Sequence, residues 1–234
     1  MWTFILVSTI AWGIAEIFYK KGNLANEKYS HLKVTVFVGI FMGIYAMVSL
    51  FVGKVNLKTF PTNFVRYLPV ATCYIVSMIC SYFGVRFLLE SISDPIENTS
   101  AALVPILCAI FLKERLTPIS IIGISVIVVG LICVSVFDKK EKNNREKKYG
   151  KKIAIVAILM PFCYLILDAL GTFLDIFYVE DVTQSFLVGV NESNIETTAN
   201  CAYEFTFFLV AIGILIFLKA KGEKLFSTEN EVTE

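Results

Sequence analysis

Histidine and charge are both scarce in this sequence. His31 is the single histidine in 234 residues, so a histidine-based metal site has nothing to build on. Charged residues make up 18% of the chain, where soluble domains average about 25%. Lys and Arg exceed Asp and Glu by only one, which leaves no basic excess to attract a nucleic acid. No nucleophile–histidine pair and no metal-ligand cluster can be drawn, so neither an enzyme nor a cofactor is expected. The six cysteines (Cys73, Cys80, Cys108, Cys133, Cys163, Cys201) form no CxxC pair. All lie in or beside apolar runs, and they read as small hydrophobic residues in helices.

Long apolar runs are what the sequence does contain, with its charges gathered in short islands between them. Seven runs can be drawn: Trp2–Tyr19, Val34–Gly53, Tyr67–Leu89, Ser100–Leu112, Ile119–Phe137, Ile153–Tyr178 and Cys201–Leu218. Runs of roughly 17–25 residues match the hydrocarbon thickness of a bilayer, and in lipid they must satisfy their own backbone as helices. The expected fold is therefore an all-α polytopic membrane protein with about seven transmembrane helices. The first run lacks a basic leader and a small-x-small cleavage site, so it is the first span and not a signal peptide. The fourth run is short, and it spans only if it begins near Ile96 or lies against other helices.

Basic residues are distributed unevenly over the connections. Counting alternate loops, sixteen of the twenty-one Lys and Arg fall on the side that holds Lys20–Lys33, Arg86, Lys139–Lys152 and Lys219–Lys224. The positive-inside rule puts that side in the cytoplasm, with the N-terminus outside and the C-terminus inside. Arg86 and Glu90 read as an i,i+4 pair at this membrane edge, and Glu204 as a residue heading the seventh span.

A weak internal repeat relates the first and sixth spans. One offset lays Tyr164 on Trp12 and Asp168 on Glu16, so an aromatic-x-x-x-carboxylate pattern recurs. Five spans separate the two starts, an odd number, and the second unit is therefore inverted. The reading divides the chain into a five-helix repeat (1–137), a basic linker (138–152), the first two helices of an inverted second repeat (153–218) and a polar tail (219–234).

Glycines supply packing motifs: Gly39-x-x-x-Gly43 in the second span, and Gly123 with Gly130 in the fifth, let neighbouring backbones approach. On the third span Tyr74, Ser77, Ser81 and Gly84 share one helical face. That face either lines a polar cavity or bonds to a neighbouring helix.

Intramembrane carboxylates cost about 2.5–3.5 kcal/mol at a helix centre, so depth decides how informative each one is. Glu16 lies near the far end of its span with Lys20 at i+4, which suits an edge salt bridge as well as a working site. Asp168 has no lysine or arginine within a turn or two, and must face water, a cation or a polar partner to stay charged.

The stretch Ile92–Val134 contains a short span with Pro105, the sequence KERLT (Lys113 to Thr117) and a span with Gly123 and Gly130. With Trp12-Gly13 in the first span, it resembles EamA-type proteins of the drug/metabolite transporter superfamily. Ala15-Glu16 followed by lysines is also similar to the first helix of the small multidrug resistance branch, whose glutamate binds protons and cationic substrates. The resemblance implies ten helices in two inverted five-helix repeats around a cavity open alternately to each side. Measured against it, about three of the ten helices are missing after Leu218, and the family's usual cytoplasmic N-terminus is opposite to the charge count.

The expected function is secondary transport of a small metabolite or drug-like solute by alternating access, coupled to protons through Glu16 or Asp168. Trp12, Glu16, Tyr74, Ser77, Ser81, Tyr164 and Asp168 are the expected substrate-binding or coupling residues. The partners are a small-molecule substrate and the lipid bilayer, with a homodimer left open, and the location is the plasma membrane. The alternative is a membrane interaction protein that does not transport, or an inactive transporter fragment.

Overall fold

Residues 2–52, 55–180 and 185–225 are described by a computed structural model, with the side chains of 2, 4, 5 and 135–143 excepted. Each apolar run becomes a helix. The order is α1 (Trp2–Gly22), α2 (Ser30–Phe51), α3 (Phe60–Val85), α4 (Glu90–Glu97), α5 (Ser100–Leu107), α6 (Pro118–Tyr149), α7 (Lys151–Val179) and α8 (Ile195–Ala220). Five segments are long and apolar enough to cross a membrane: α2, α3, the combined stretch Glu90–Leu112, α7 and α8. The apolar part of α6, Pro118–Val134, is shorter. At 21 residues α1 reaches about 30 Å, the thickness of a hydrocarbon core. The chain is a polytopic, all-helical membrane protein.

Two helix pairs form the centre, α2 against α8 and α3 against α7, with α3 also touching α8. Gly39 and Gly43 make the first pair possible. A Cβ on Gly39 would lie 2.5 Å from the Ala211 Cβ and 2.8 Å from the Phe207 carbonyl oxygen, and one on Gly43 would lie 2.4 Å from the Phe208 ring. Lacking Cβ atoms, both let the helix backbones meet as the small-residue spacing predicts. By contrast, Gly123 and Gly130 have nothing within 4 Å of the Cβ they lack, so this face of α6 is not a packing seam among the described residues. Phe207, Val70, Ala71 and Ala46 are wholly buried at the centre. Around it, Leu6, Val7 and Ile10 of α1, Phe41 of α2 and Ile119 and Val126 of α6 are exposed, the apolar belt that a bilayer would cover.

Several expected boundaries move. The fourth span starts at Glu90, well before Ser100, and is broken. Helix α4 ends at Glu97, Asn98 and Thr99 make the turn, and a π segment (Cys108–Leu112) closes the span at Lys113, whose φ of 58° is left-handed. Pro95 and Pro105 each remove a helical N–H donor, which weakens the ladder on both sides of the break. The basic linker 138–152 is not a loop. Helix α6 continues through it to Tyr149, and Gly150 alone, at φ +83°, turns the chain into α7. Helix α3 begins at Phe60, before Tyr67, because its polar first turns find partners: Asn63 and Arg66 bond the 185–190 loop. Since α8 starts at Ile195, Glu204 does not head its span but lies nine residues, about 14 Å, inside. The polar tail beyond Leu225 lies outside the described residues.

The loops gather at two ends. At the basic end, Arg86 does not pair with Glu90, because α3 stops at Val85 and no single helix carries both. Its guanidinium instead donates to the carbonyls of Leu24 (3.2 Å), Lys28 (3.0 Å) and Glu27, and to His31 Nδ1 (3.1 Å). His31 thus sits in the first turn of α2, not in a loop. At the opposite end, Asn63 is fully buried and pairs with the backbone of Val188. Its Nδ2 donates to the carbonyl (3.0 Å), and its Oδ1 accepts from the amide (2.7 Å).

Candidate functional site

The break in the fourth span brings a carboxylate into the bundle. Glu97 is 9% exposed and accepts at both oxygens, from Ser81 Oγ on α3 (2.7 Å) and from Ser93 Oγ one turn back on α4 (2.8 Å). Two hydroxyl donors from two helices hold the carboxyl in one orientation. Beyond the turn, Ser100 opens α5 and interacts with Asp168 of α7. Tyr164, one turn before Asp168 on the same helix, does so as well.

Tyr164 feels three carboxylates. Its phenol lies within electrostatic reach of Asp168, Glu97 and Glu16, which come from α7, α4 and α1. Glu16 interacts with Trp12 on its own helix and with the charges of Asp94 and Glu90 across the gap to α4. It forms no ion pair with Lys20. The Lys20 ammonium turns the other way and donates to the carbonyls of Val85 and Leu88, which the end of α3 leaves open. The edge salt bridge expected from the i,i+4 spacing is therefore not what holds Glu16.

Aromatic side chains complete the surroundings. Tyr74 of α3 donates to Thr172 Oγ1 at 3.1 Å and packs edge-on against Tyr203 of α8, with ring centroids 5.6 Å apart. Tyr203 in turn points its hydroxyl at Met78 Sδ (3.4 Å). Tyr19 of α1 meets Tyr82 of α3 at 5.0 Å between centroids. Further toward the end opposite Arg86, Tyr67 donates to Asp175.

Of the seven residues expected from sequence, Glu16 and Asp168 both lie within electrostatic reach of Tyr164, and Tyr74 within that of Asp168. Ser81 joins them through Glu97. Trp12 touches the group only through Glu16 and is 58% exposed. Ser77 does not join: it is fully buried and its hydroxyl donates to the Tyr74 carbonyl of its own helix (2.7 Å). The face Tyr74–Ser77–Ser81–Gly84 thus works mainly by contact between helices, with Gly84 against Pro161. Sequence reasoning missed Glu97, Ser93, Ser100 and Tyr203. A signal for the first two exists: Ile92 and Ile96, both buried, and Ser93 and Glu97 each repeat at i,i+4, a short amphipathic helix where a loop was expected.

A polar group at the break of a discontinuous span, inside a bundle of apolar helices, is the arrangement in which transporters hold solutes and coupling ions. Compared with curated proteins and with solved structures, the chain matches none of them. The family model described as EamA-like transporter family matches residues 2–136, more than half of the chain and all of α1 to α5. That match includes Glu16, the Ser81–Glu97 contact and Ser100, and on it the chain belongs to the EamA-like transporter family.

Proposed function

We propose that this protein is a secondary transporter that moves a small metabolite or drug-like solute by alternating access, coupled to protons. One observation carries the reading: Glu16, Glu97 and Asp168, from three helices, each lie within electrostatic reach of a single phenol, Tyr164. A carboxylate that can hold either a proton or a solute couples the two by competition, because loading one releases the other. The tyrosines nearby offer aromatic faces and hydroxyls to a partly apolar solute. The repeat is consistent with this geometry. If α7 corresponds to α1, then Asp168 is the counterpart of Glu16, and Tyr164 the counterpart of Trp12.

The hydrogen bonds at the two ends suit a gating function. The 185–190 loop is bonded to Asn63 and Arg66 at one end, and Arg86 ties the 24–28 backbone at the other. Alternating access would require these contacts to break in turn. The test is a solute panel (amino acids, amines, aromatic drugs) added to proteoliposomes loaded with a pH-sensitive dye. At least one solute should drive proton movement in the wild-type protein, and Glu16→Gln and Asp168→Asn should abolish it. A solute carried at full rate by both variants, at every pH tried, would rule out coupling through these residues.

A further inference from the structure

A second site lies outside the carboxylate cluster, at the basic end. The linker between α3 and α4 and the extended end of α6 enclose a cavity of about 340 Å³. Lys20, Arg86, Arg145 and Lys148 supply four positive charges to its lining, and Asn144 an amide; no carboxylate lines it. Phe87, Leu88, Leu89 and Tyr149 make the rest of the wall. We infer that this cavity is a binding site for the headgroup of an anionic phospholipid.

Position is the first argument. Lys20 sits in the last turn of α1 and Leu89 precedes the first turn of α4, so the cavity lies where apolar spans give way to basic loops. A headgroup phosphate stands at that level, and basic pockets between helices on the positively charged side suit it. Amphiphilic matching is the second. Leu89 is half exposed beside the cavity, and the Phe87 and Tyr149 rings meet at 5.2 Å, an aromatic wall of the kind found at membrane interfaces. A free phosphate has no use for such a wall, whereas the glycerol and first methylenes of a lipid do.

Construction is the third argument. Arg145 is only 7% exposed, so the α6 extension presents a guanidinium in a largely enclosed position. Arg86 lies 4.9 Å over the Phe87 ring while its N–H groups hold the 24–28 carbonyls, which fixes one wall of the cavity. The continuation of α6 past its apolar part therefore has a use: it carries Arg145 and Lys148 back to the end of α3.

The test uses the full chain in a neutral detergent, with phosphatidylglycerol or phosphatidylcholine of identical acyl chains, and native mass spectrometry as readout. Phosphatidylglycerol should be retained preferentially. Each basic residue near a membrane surface contributes about 1 kcal/mol, so Arg145→Gln with Lys148→Gln should weaken retention roughly tenfold to thirtyfold. Lys148→Gln alone, at an exposed position, should weaken it about fivefold and guards against misfolding of the double variant. Lys219→Gln, whose site lies outside the cavity lining, should leave it unchanged. Equal retention of the two lipids, or unchanged retention in both Lys148 variants, would overturn the site. Displacement of the lipid by inorganic phosphate at equal concentration would overturn the lipid assignment and leave a small-anion site.

Discussion

Ser81 of α3 donates a 2.7 Å hydrogen bond to Oε2 of Glu97 on α4, tying the third span to the break in the fourth. The contact joins a residue visible in the sequence pattern to one that was hidden in an apparent loop. It also sets the first prediction. Ser81→Ala leaves Glu97 with Ser93 alone, and a hydrogen bond to a charged group is worth about 1.5–3 kcal/mol. Thermal unfolding in detergent should register that loss, and Ser81→Thr, which keeps the hydroxyl, should recover most of it.

The two glycine pairs should behave oppositely. Gly39→Ala pushes a methyl group against Ala211 and the Phe207 backbone, and should destabilise by about 1–3 kcal/mol. Gly123→Ala meets nothing within 4 Å and should be neutral, or stabilising by up to about 1 kcal/mol through helix propensity. Melting curves of the two variants side by side decide it.

Asn63→Ala removes both partners of the Val188 backbone at once. With the penalty for unpaired buried groups at about 1–3 kcal/mol, amides of residues 185–190 should exchange roughly ten- to a hundredfold faster. Exchange in the centre of α8 should not change, because the contact lies at the end of the bundle.

Arg86→Lys keeps the charge and loses the fork. A single ammonium cannot reach the carbonyls of Leu24, Glu27 and Lys28 together while lying over Phe87. Limited proteolysis should then cut within residues 23–29 faster than in the wild-type protein.

Apolar runs told most of the fold, because in a bilayer length and hydropathy nearly dictate a helix. Helix α2, α7 and the Gly39–Gly43 seam follow directly from the sequence. What misled was charge at helix ends. Asp94 and Glu97 made the start of the fourth span look like a loop, and six basic residues made the end of α6 look like a linker. Both are helical because tertiary partners, Ser81 for Glu97 and Phe87 for Tyr149, reward the helix where composition does not. At the site, the repeat pointed to Glu16, Tyr164 and Asp168, and both carboxylates lie within electrostatic reach of the Tyr164 phenol. Glu97 lay outside any repeat and could be found only through its short amphipathic pattern. The Glu16–Lys20 spacing was a false lead, since the end of α3 offers Lys20 open carbonyls that no local pattern records.

The account rests on Glu16, Glu97 and Asp168 acting as one site around Tyr164. The most direct measurement is a double-mutant cycle on solute-driven proton movement in proteoliposomes, with Glu16→Gln, Asp168→Asn and the two combined. Residues that act as a unit are strongly non-additive, so each single change should remove nearly all coupled transport and the double change little more. Independent partial losses that multiply in the double variant, or wild-type coupling in either single variant, would contradict the shared site.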